Sequence, residues 1–305
     1  SLWSWETAKL LLRQAWARGL RGLASYFGDA MTPTRGWLET SYRSELFKAL
    51  WAPWVLHLGL GPESAYSGKM TKVIAFATEA AGTPIVKGGA RNLLAAFRRL
   101  IEDKGGAIRT GADVVAIARD ATGAASSVTL ANGEVIEAER GVICSVTPNQ
   151  LYTRLLEPSN VPSDVAASVK AYRYGKGNMQ IHYALKSPPR WKTSGLEKVA
   201  LLHLTPGLDG VSKAANEAER GMLPETPTIC VGQPTALDPS RCPDGAAILW
   251  LQLPETPRHI KGDAAGRIKM PADGKWTDSL REAYADRIEA ILMAHIDGFA
   301  ENIIG

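Results

Sequence analysis

Cysteine is scarce in this 305-residue chain. Cys144, Cys230 and Cys242 are its three cysteines, too few and too scattered for a disulfide framework or a zinc module. A reducing, cytoplasmic setting is the default expectation. Histidine is nearly as sparse: His57, His182, His203, His259 and His295 fall at no metal-binding spacing. His-Glu-x-x-His, paired Cys-x-x-Cys and Gly-x-Ser-x-Gly patterns are missing too. The sequence therefore marks no metal site and no hydrolytic nucleophile, and its catalytic side chains stay unassigned. No run of about twenty apolar residues occurs, so no transmembrane helix is expected. Lys and Arg form no sustained run, and a net charge of +4 is too mild to point to nucleic acid. There is no internal repeat and no low-complexity tract. The opening residues carry neither a methionine nor a signal-peptide pattern, and Ser1 to Leu12 reads as the interior of a longer chain.

What is present is ordinary globular composition, 45% hydrophobic and 22% charged, enough for one large core or two smaller ones. Residues 1–30 read as helical. Leu12, Trp16, Leu20 and Leu23 recur at helical spacing with Lys9, Arg13, Arg18 and Arg21 between them. Such a basic amphipathic helix can lie peripherally on a membrane; the preferred reading is a solvated helix packed on its own domain. Thr32-Pro33 opens a second helix. A third, over about 44–56, carries Phe47, Leu50, Trp51 and Trp54. Leu58-Gly59-Leu60-Gly61-Pro62-Glu63-Ser64 begins like a dinucleotide fingerprint, but Ser64 replaces the third glycine and Pro62 interrupts the turn. It reads as a loop between helices.

Residues 84–148 carry the densest pattern. Pro84 to Gly89 forms a tight glycine turn. It feeds a helix with Leu93, Ala96, Phe97, Leu100 and Ile101 on one face, the spacing of a helix buried on one side. Gly105-Gly106 stops it. Ala107–Thr110 reads as a short strand and Ala112–Arg119 as a longer one. Strands over 127–131 and 134–138 form a hairpin across Asn132-Gly133. The apolar run 141–146, closed by Pro148, reads as a buried central strand, with Cys144 as a small buried hydrophobe. Beyond residue 151, strands are expected over 178–185, 199–204, 228–231 and 247–253, separated by long loops. Met179, Ile181 and Tyr183 alternate with polar residues as in a half-buried strand. A last helix starts near Ser279, with Glu282 completing a capping box. Its face is Leu280, Tyr284, Ile288, Ile291, Leu292 and His295.

The order and spacing of Pro84 to Leu93, Gly105 to Ile108, Gly111 to Ile117, the Asn132-Gly133 hairpin and Ala138 to Pro148 resemble the middle of phytoene-dehydrogenase-like flavoproteins. These belong to the wider amine oxidase and phytoene desaturase superfamily. The resemblance covers about sixty residues; the N-terminal helices and the closing helix agree more loosely with the family's substrate domain. It implies an α/β (α+β) fold, a partial two-domain flavoprotein. Residues 1–83 and 151–305 would build a substrate domain of mixed sheet plus helices. Residues 84–150 would be a small β/α piece of the FAD-binding domain. By the same resemblance, the main chain at Val114 would pair with the adenine edge of FAD, and Cys144, Ser145 and Val146 would pass beside its ADP part. Gly88 and Gly89 would lie near the boundary between flavin and substrate domains; read without the resemblance, they only shape a strand-to-helix turn.

The departures are as informative. The family opens with a βαβ unit whose glycines hold the pyrophosphate at a helix N-terminus, and closes with a glycine-containing segment beside the flavin ring. The chain shows neither pattern. The expected activity is an FAD-dependent dehydrogenase or desaturase taking hydride from an apolar, isoprenoid-like or lipid-like substrate, with Trp51, Trp54, Met179, Ile181 and Trp250 as cavity residues. A partner chain or further segments would complete the flavin site; a second reading makes the chain one subunit of a split flavoenzyme. The alternative is a non-catalytic relative that binds an apolar ligand or a protein.

Overall fold

The computed structural model describes residues 4–305, so the first three residues of the expected 1–30 helix lie outside the described part. In chain order the main helices are α1 (Trp5–Met31), α2 (Thr34–Ser41), α3 (Glu45–Trp51), α4 (Ser67–Ala81), α5 (Ala90–Asp103), α6 (Ser163–Ala171), α7 (Gly207–Glu219) and α8 (Asp278–His295). The main strands are β1 (Val114–Arg119), β2 (Ala125–Leu130), β3 (Val135–Glu137), β4 (Gly177–Leu185), β5 (Leu201–Leu204), β6 (Ile229–Gly232) and β7 (Ala247–Thr256). Among the described residues, helices and mainly antiparallel sheets, with no barrel, give the α/β (α+β) class expected of a partial flavoprotein. The chain divides into two compact units, one of residues 1–90 with 175–305, the other of residues 91–174.

The first unit is built on a four-stranded antiparallel sheet in the order β4-β7-β6-β5. Side chains alternate across a strand with period two. Tyr183, Leu249, Leu251, Leu253, Ile229 and Val231 therefore share one face. α8 covers it with Leu280, Tyr284, Ile288 and Leu292, all buried. The helix is capped by Thr277, whose side chain accepts the N–H of Leu280 at 3.2 Å. The cap thus lies two residues before the expected Ser279, because Thr277 is the residue still in extended backbone where the helix begins. Ile291 is half-buried and His295 is exposed, so the expected face narrows at its end.

A second cluster joins Leu38, Ala52, Val55 and Leu56 to Leu208, Val211 and Ala215 of α7. The expected third helix is α-helical only to Trp51 and then tightens into a 3-10 turn over Ala52–Leu58. Residues 58–64 form a loop, as expected. In α1, Gly19 takes φ +68° inside the run, so two helical stretches meet there. The helix does not pack its apolar face on its own domain. Leu12, Leu20 and Trp16 are exposed, Trp16 to 93%, and Ala30 is its only buried residue. The 3.6-residue period defined a face, but no described residue covers it.

The second unit holds α5, α6 and a three-stranded antiparallel sheet in the order β1-β2-β3. The Asn132-Gly133 hairpin forms as expected, with Gly133 at φ +86° and Val128 opposite Ile136. The β1–β2 turn is held by Asp120, whose Oδ1 accepts the N–H groups of Thr122 and Ala124 at 2.8 and 3.0 Å. Three expectations differ here. Ala107–Thr110 is irregular, since no described strand lies beside it to complete a ladder. Residues 141–146 form no strand for the same reason; Ile143 is fully exposed and Cys144 only half-buried. α5 has its apolar stripe, yet none of its residues is buried: Leu93, Phe97, Leu100 and Ile101 are all exposed.

Candidate functional site

The face of the four-stranded sheet opposite α8 carries the polar chemistry of the first unit. Strand register aligns Gln180, Gln252, Cys230 and His203 in one row across β4, β7, β6 and β5. Two residues along, His182, Trp250, Gly232 and Leu201 form a parallel row on the same face. Gly232 lies under the Trp250 indole so closely that a Cβ would sit 2.0 Å from a ring atom. Only a residue without a side chain lets the ring lie down on the sheet.

Trp250 forms one wall of a cleft of about 500 Å³, otherwise lined by Ile85, Val86, Leu201, Pro234 and Leu237 among others. Arg241 is its one charged residue. That charge is already engaged: the guanidinium donates to Asp238 Oδ2 at 3.1 Å and to the carbonyl of Val86. The cleft is therefore apolar in effect, with no carboxylate and no histidine in its lining. A wider groove of about 1210 Å³ runs along α8. There Arg287 is held bidentately by Asp263, at 2.7 Å to each oxygen.

The Gly88-Gly89 turn borders this cleft from the chain stretch before α5. Both glycines have positive φ, +74° and +91°, a region costly for other residues. The Gly88 N–H donates to Asp238 Oδ2 at 2.7 Å. Ser240 Oγ donates to the other oxygen at 2.6 Å. Those hydrogen bonds, Ser240's first and Gly88's next, hold the Asp238 carboxyl down to about 2. The turn is thus an anchored element of the first unit.

Val114, Cys144, Ser145 and Val146 belong to the second unit. Val114 opens β1 opposite Leu130, with a bulge between it and Ala116. β1 is an edge strand, so one side of its main chain has no strand partner among the described residues. An open main-chain edge suits recognition of a base edge through N–H and C=O groups. Cys144 is half-buried, Ser145 and Val146 are exposed, and this segment too has no strand beside it. What these positions offer a ligand is main-chain N–H and C=O groups.

Of the expected cavity residues, Trp250 lines the cleft. Met179 and Ile181 pack against the sheet core, and Trp51 packs on the helix cluster. Trp54 instead borders a group that spacing along the chain could not show. His57, His203 and Cys230 come together, their ligand-forming atoms all within 4.8 Å of one another. The two Nε2 atoms are 3.1 Å apart. Ring centroids of Trp54 lie 5.3 Å from those of both histidines. Desolvation lowers both imidazoles, His203 down to about 4 with the His57 charge a second cause, although the His57 residue as a whole keeps much of its surface exposed. No sequence signal marked the group; the pairing that sets His203 opposite Cys230 appears only in the strand register.

The first unit offers a helix-flanked antiparallel sheet with an apolar cleft on one face, and the second, taken by itself, a small βα unit with an open edge strand. The family model of flavin containing amine oxidoreductases matches residues 10–252, and the chain belongs to that family. It is 28% identical over 284 residues to an all-trans-zeta-carotene desaturase of Myxococcus xanthus, covering 88% of this chain and 47% of that protein. To a zeta-carotene-forming phytoene desaturase of the same organism it is 25% identical over 219 residues, covering 72% of this chain and 39% of the relative. The chain thus spans less than half the length of these relatives. An oxidoreductase from Methanosarcina mazei shares the fold with a TM-score of 0.54 at 16% identity, covering 95% of this chain and 57% of that one. No described helix is long and apolar enough to cross a membrane.

Proposed function

We propose that this chain is the substrate-binding part of an FAD-dependent dehydrogenase or desaturase acting on an apolar, isoprenoid-like or lipid-like substrate. The observation that carries the reading is the apolar cleft beneath Trp250 in a chain of the flavin amine oxidoreductase family. Desaturation takes a hydride from one carbon and a proton from its neighbour. The flavin supplies the two-electron acceptor. This chain's residues would hold and orient the substrate: Ile85, Val86, Leu201, Leu237 and Trp250 by apolar contact. No carboxylate or histidine lines the cleft, so the proton from the neighbouring carbon would leave to water. Carotene desaturases among the relatives support the substrate class.

In the same reading, FAD is held through the open edge of β1 at Val114 and the main chain at Cys144, Ser145 and Val146. The site is completed by a further segment or a partner chain carrying a phosphate-binding glycine turn. Two observations support a missing neighbour. α5 leaves Leu93, Leu94, Phe97, Leu100 and Ile101 exposed, and Ile143 is uncovered in a run that reads as a central strand. Peripheral contact with an anionic membrane fits α1, where Leu12, Trp16 and Leu20 are exposed among Lys9, Arg13, Arg18 and Arg21.

The test is the visible absorption spectrum of the protein purified from its native source. A flavin band, with FAD released on denaturation, is the expected result. A colourless protein that takes up no added FAD overturns the enzymatic reading and leaves an apolar-ligand or protein-binding module in its place.

A further inference from the structure

We propose that His57, His203 and Cys230 form a three-ligand metal site for a thiophilic divalent ion of the Zn2+ type. The argument begins with the elements. His203 and Cys230 are directly opposite in the antiparallel β5–β6 pair, which puts both side chains on one face. His57 comes from the 3-10 turn over Ala52–Leu58. That turn repeats every three residues, so Trp54 and His57 share a side. Three separate elements thus deliver one donor atom each to a single point.

The donor geometry follows. Zinc takes imidazole nitrogen at about 2.0–2.1 Å and thiolate sulfur at about 2.3 Å, so neighbouring tetrahedral donors stand roughly 3.3–3.6 Å apart. The two imidazole nitrogens are already 3.1 Å apart, and all three donors lie within 4.8 Å. Closing the set needs a shift of at most about 1.5 Å. The Trp54 indole packs on both imidazoles and limits their rotation. His57 is exposed while Cys230 is buried, so the fourth corner of the tetrahedron opens toward solvent and can take water.

The protonation state also fits. A nitrogen ligand must be neutral, which is the ordinary form of imidazole at and above neutral pH. Burial pushes the Cys230 thiol up to about 11. Without an ion it is therefore a thiol. A coordinating metal deprotonates such a thiol outright, and one proton leaves to solvent as the metal–sulfur bond forms. Two imidazoles and one thiolate are a donor set that hard cations such as Mg2+ and Ca2+ avoid. Nothing in this site draws on the flavin chemistry, so it stands or falls independently of the proposed activity.

The test uses the whole chain, stripped with a chelator and then titrated with Zn2+ against a chromophoric competitor, and in parallel with Co2+. The expected result is one equivalent of Zn2+ bound and a thiolate-to-cobalt charge-transfer band. Cys230→Ser should remove the band with the far-ultraviolet circular dichroism unchanged. His57→Gln, at an exposed position, should weaken Zn2+ binding by roughly tenfold or more, since even outer-shell changes cost that much. No stoichiometric uptake would overturn the proposal. So would uptake without the cobalt band, or uptake unaffected by His57→Gln, which remains informative should Cys230→Ser fail to fold.

Discussion

Glu255 sits in β7 with its carboxyl inside the first unit, accepting the N–H of Thr228 at 2.6 Å and its hydroxyl at 3.2 Å. Burial dominates over these hydrogen bonds and raises the group from 4.5 to about 7. Above pH 4.5 the unfolded chain ionises this glutamate, while the folded chain keeps its proton until about pH 7. The native state binds more protons in that window, so stability falls as pH rises through it. Glu255→Gln should flatten the profile, removing a loss on the order of 2–3 kcal/mol between those limits; urea melts at several pH values would show it. Gly232 makes a steric case instead. Gly232→Ala must push the Trp250 ring off the sheet, at about 1–3 kcal/mol, and should shift tryptophan fluorescence as the cleft wall moves. Unchanged emission and stability would mean that the ring does not rest there.

At the scale of elements, Thr277 is the clearest single handle. Its hydroxyl satisfies one free N–H at the start of α8, and Thr277→Ala should cost about 1 kcal/mol, readable as a lower thermal midpoint. The elements also show what was legible in the sequence. β4 and β7 could be read because alternation is enforced by burial on one face only, and the Asn132-Gly133 hairpin because its turn chemistry is local. α8 was readable because Leu280, Tyr284, Ile288 and Leu292 keep one stripe. α7 was missed: beyond Leu208 and Val211 its buried residues are alanines (Ala214, Ala215 and Ala218), and Gly207 and Gly210 look like loop. The 141–146 run misled in the other direction. Apolar composition states that a segment prefers cover, and cannot state that the cover is among these residues. The His57, His203 and Cys230 group was illegible because two of its spacings exceed a hundred residues along the chain.

On the scale of the whole molecule, protection should be graded. β7 has strand partners on both edges and a core on one face, while α1 buries one residue. Amide hydrogen exchange should be slowest over 247–256 and 280–292 and fastest over residues 5–29 and 139–147. Protection of residues 141–146 equal to that of β7 would contradict the exposure described for that segment.

The first unit is assembled from two stretches of chain, and this has a consequence for biosynthesis. Leu38, Val55 and Leu56 are covered by Leu208, Val211 and Ala215, which leave the ribosome about 150 residues later. At roughly 5–20 residues per second, the N-terminal helices stay uncovered for something like ten to thirty seconds. During that interval their apolar faces are available to chaperones and to neighbouring nascent chains on the same message. Synthesis slowed between residues 56 and 208 should lengthen that exposed interval and lower the folded yield.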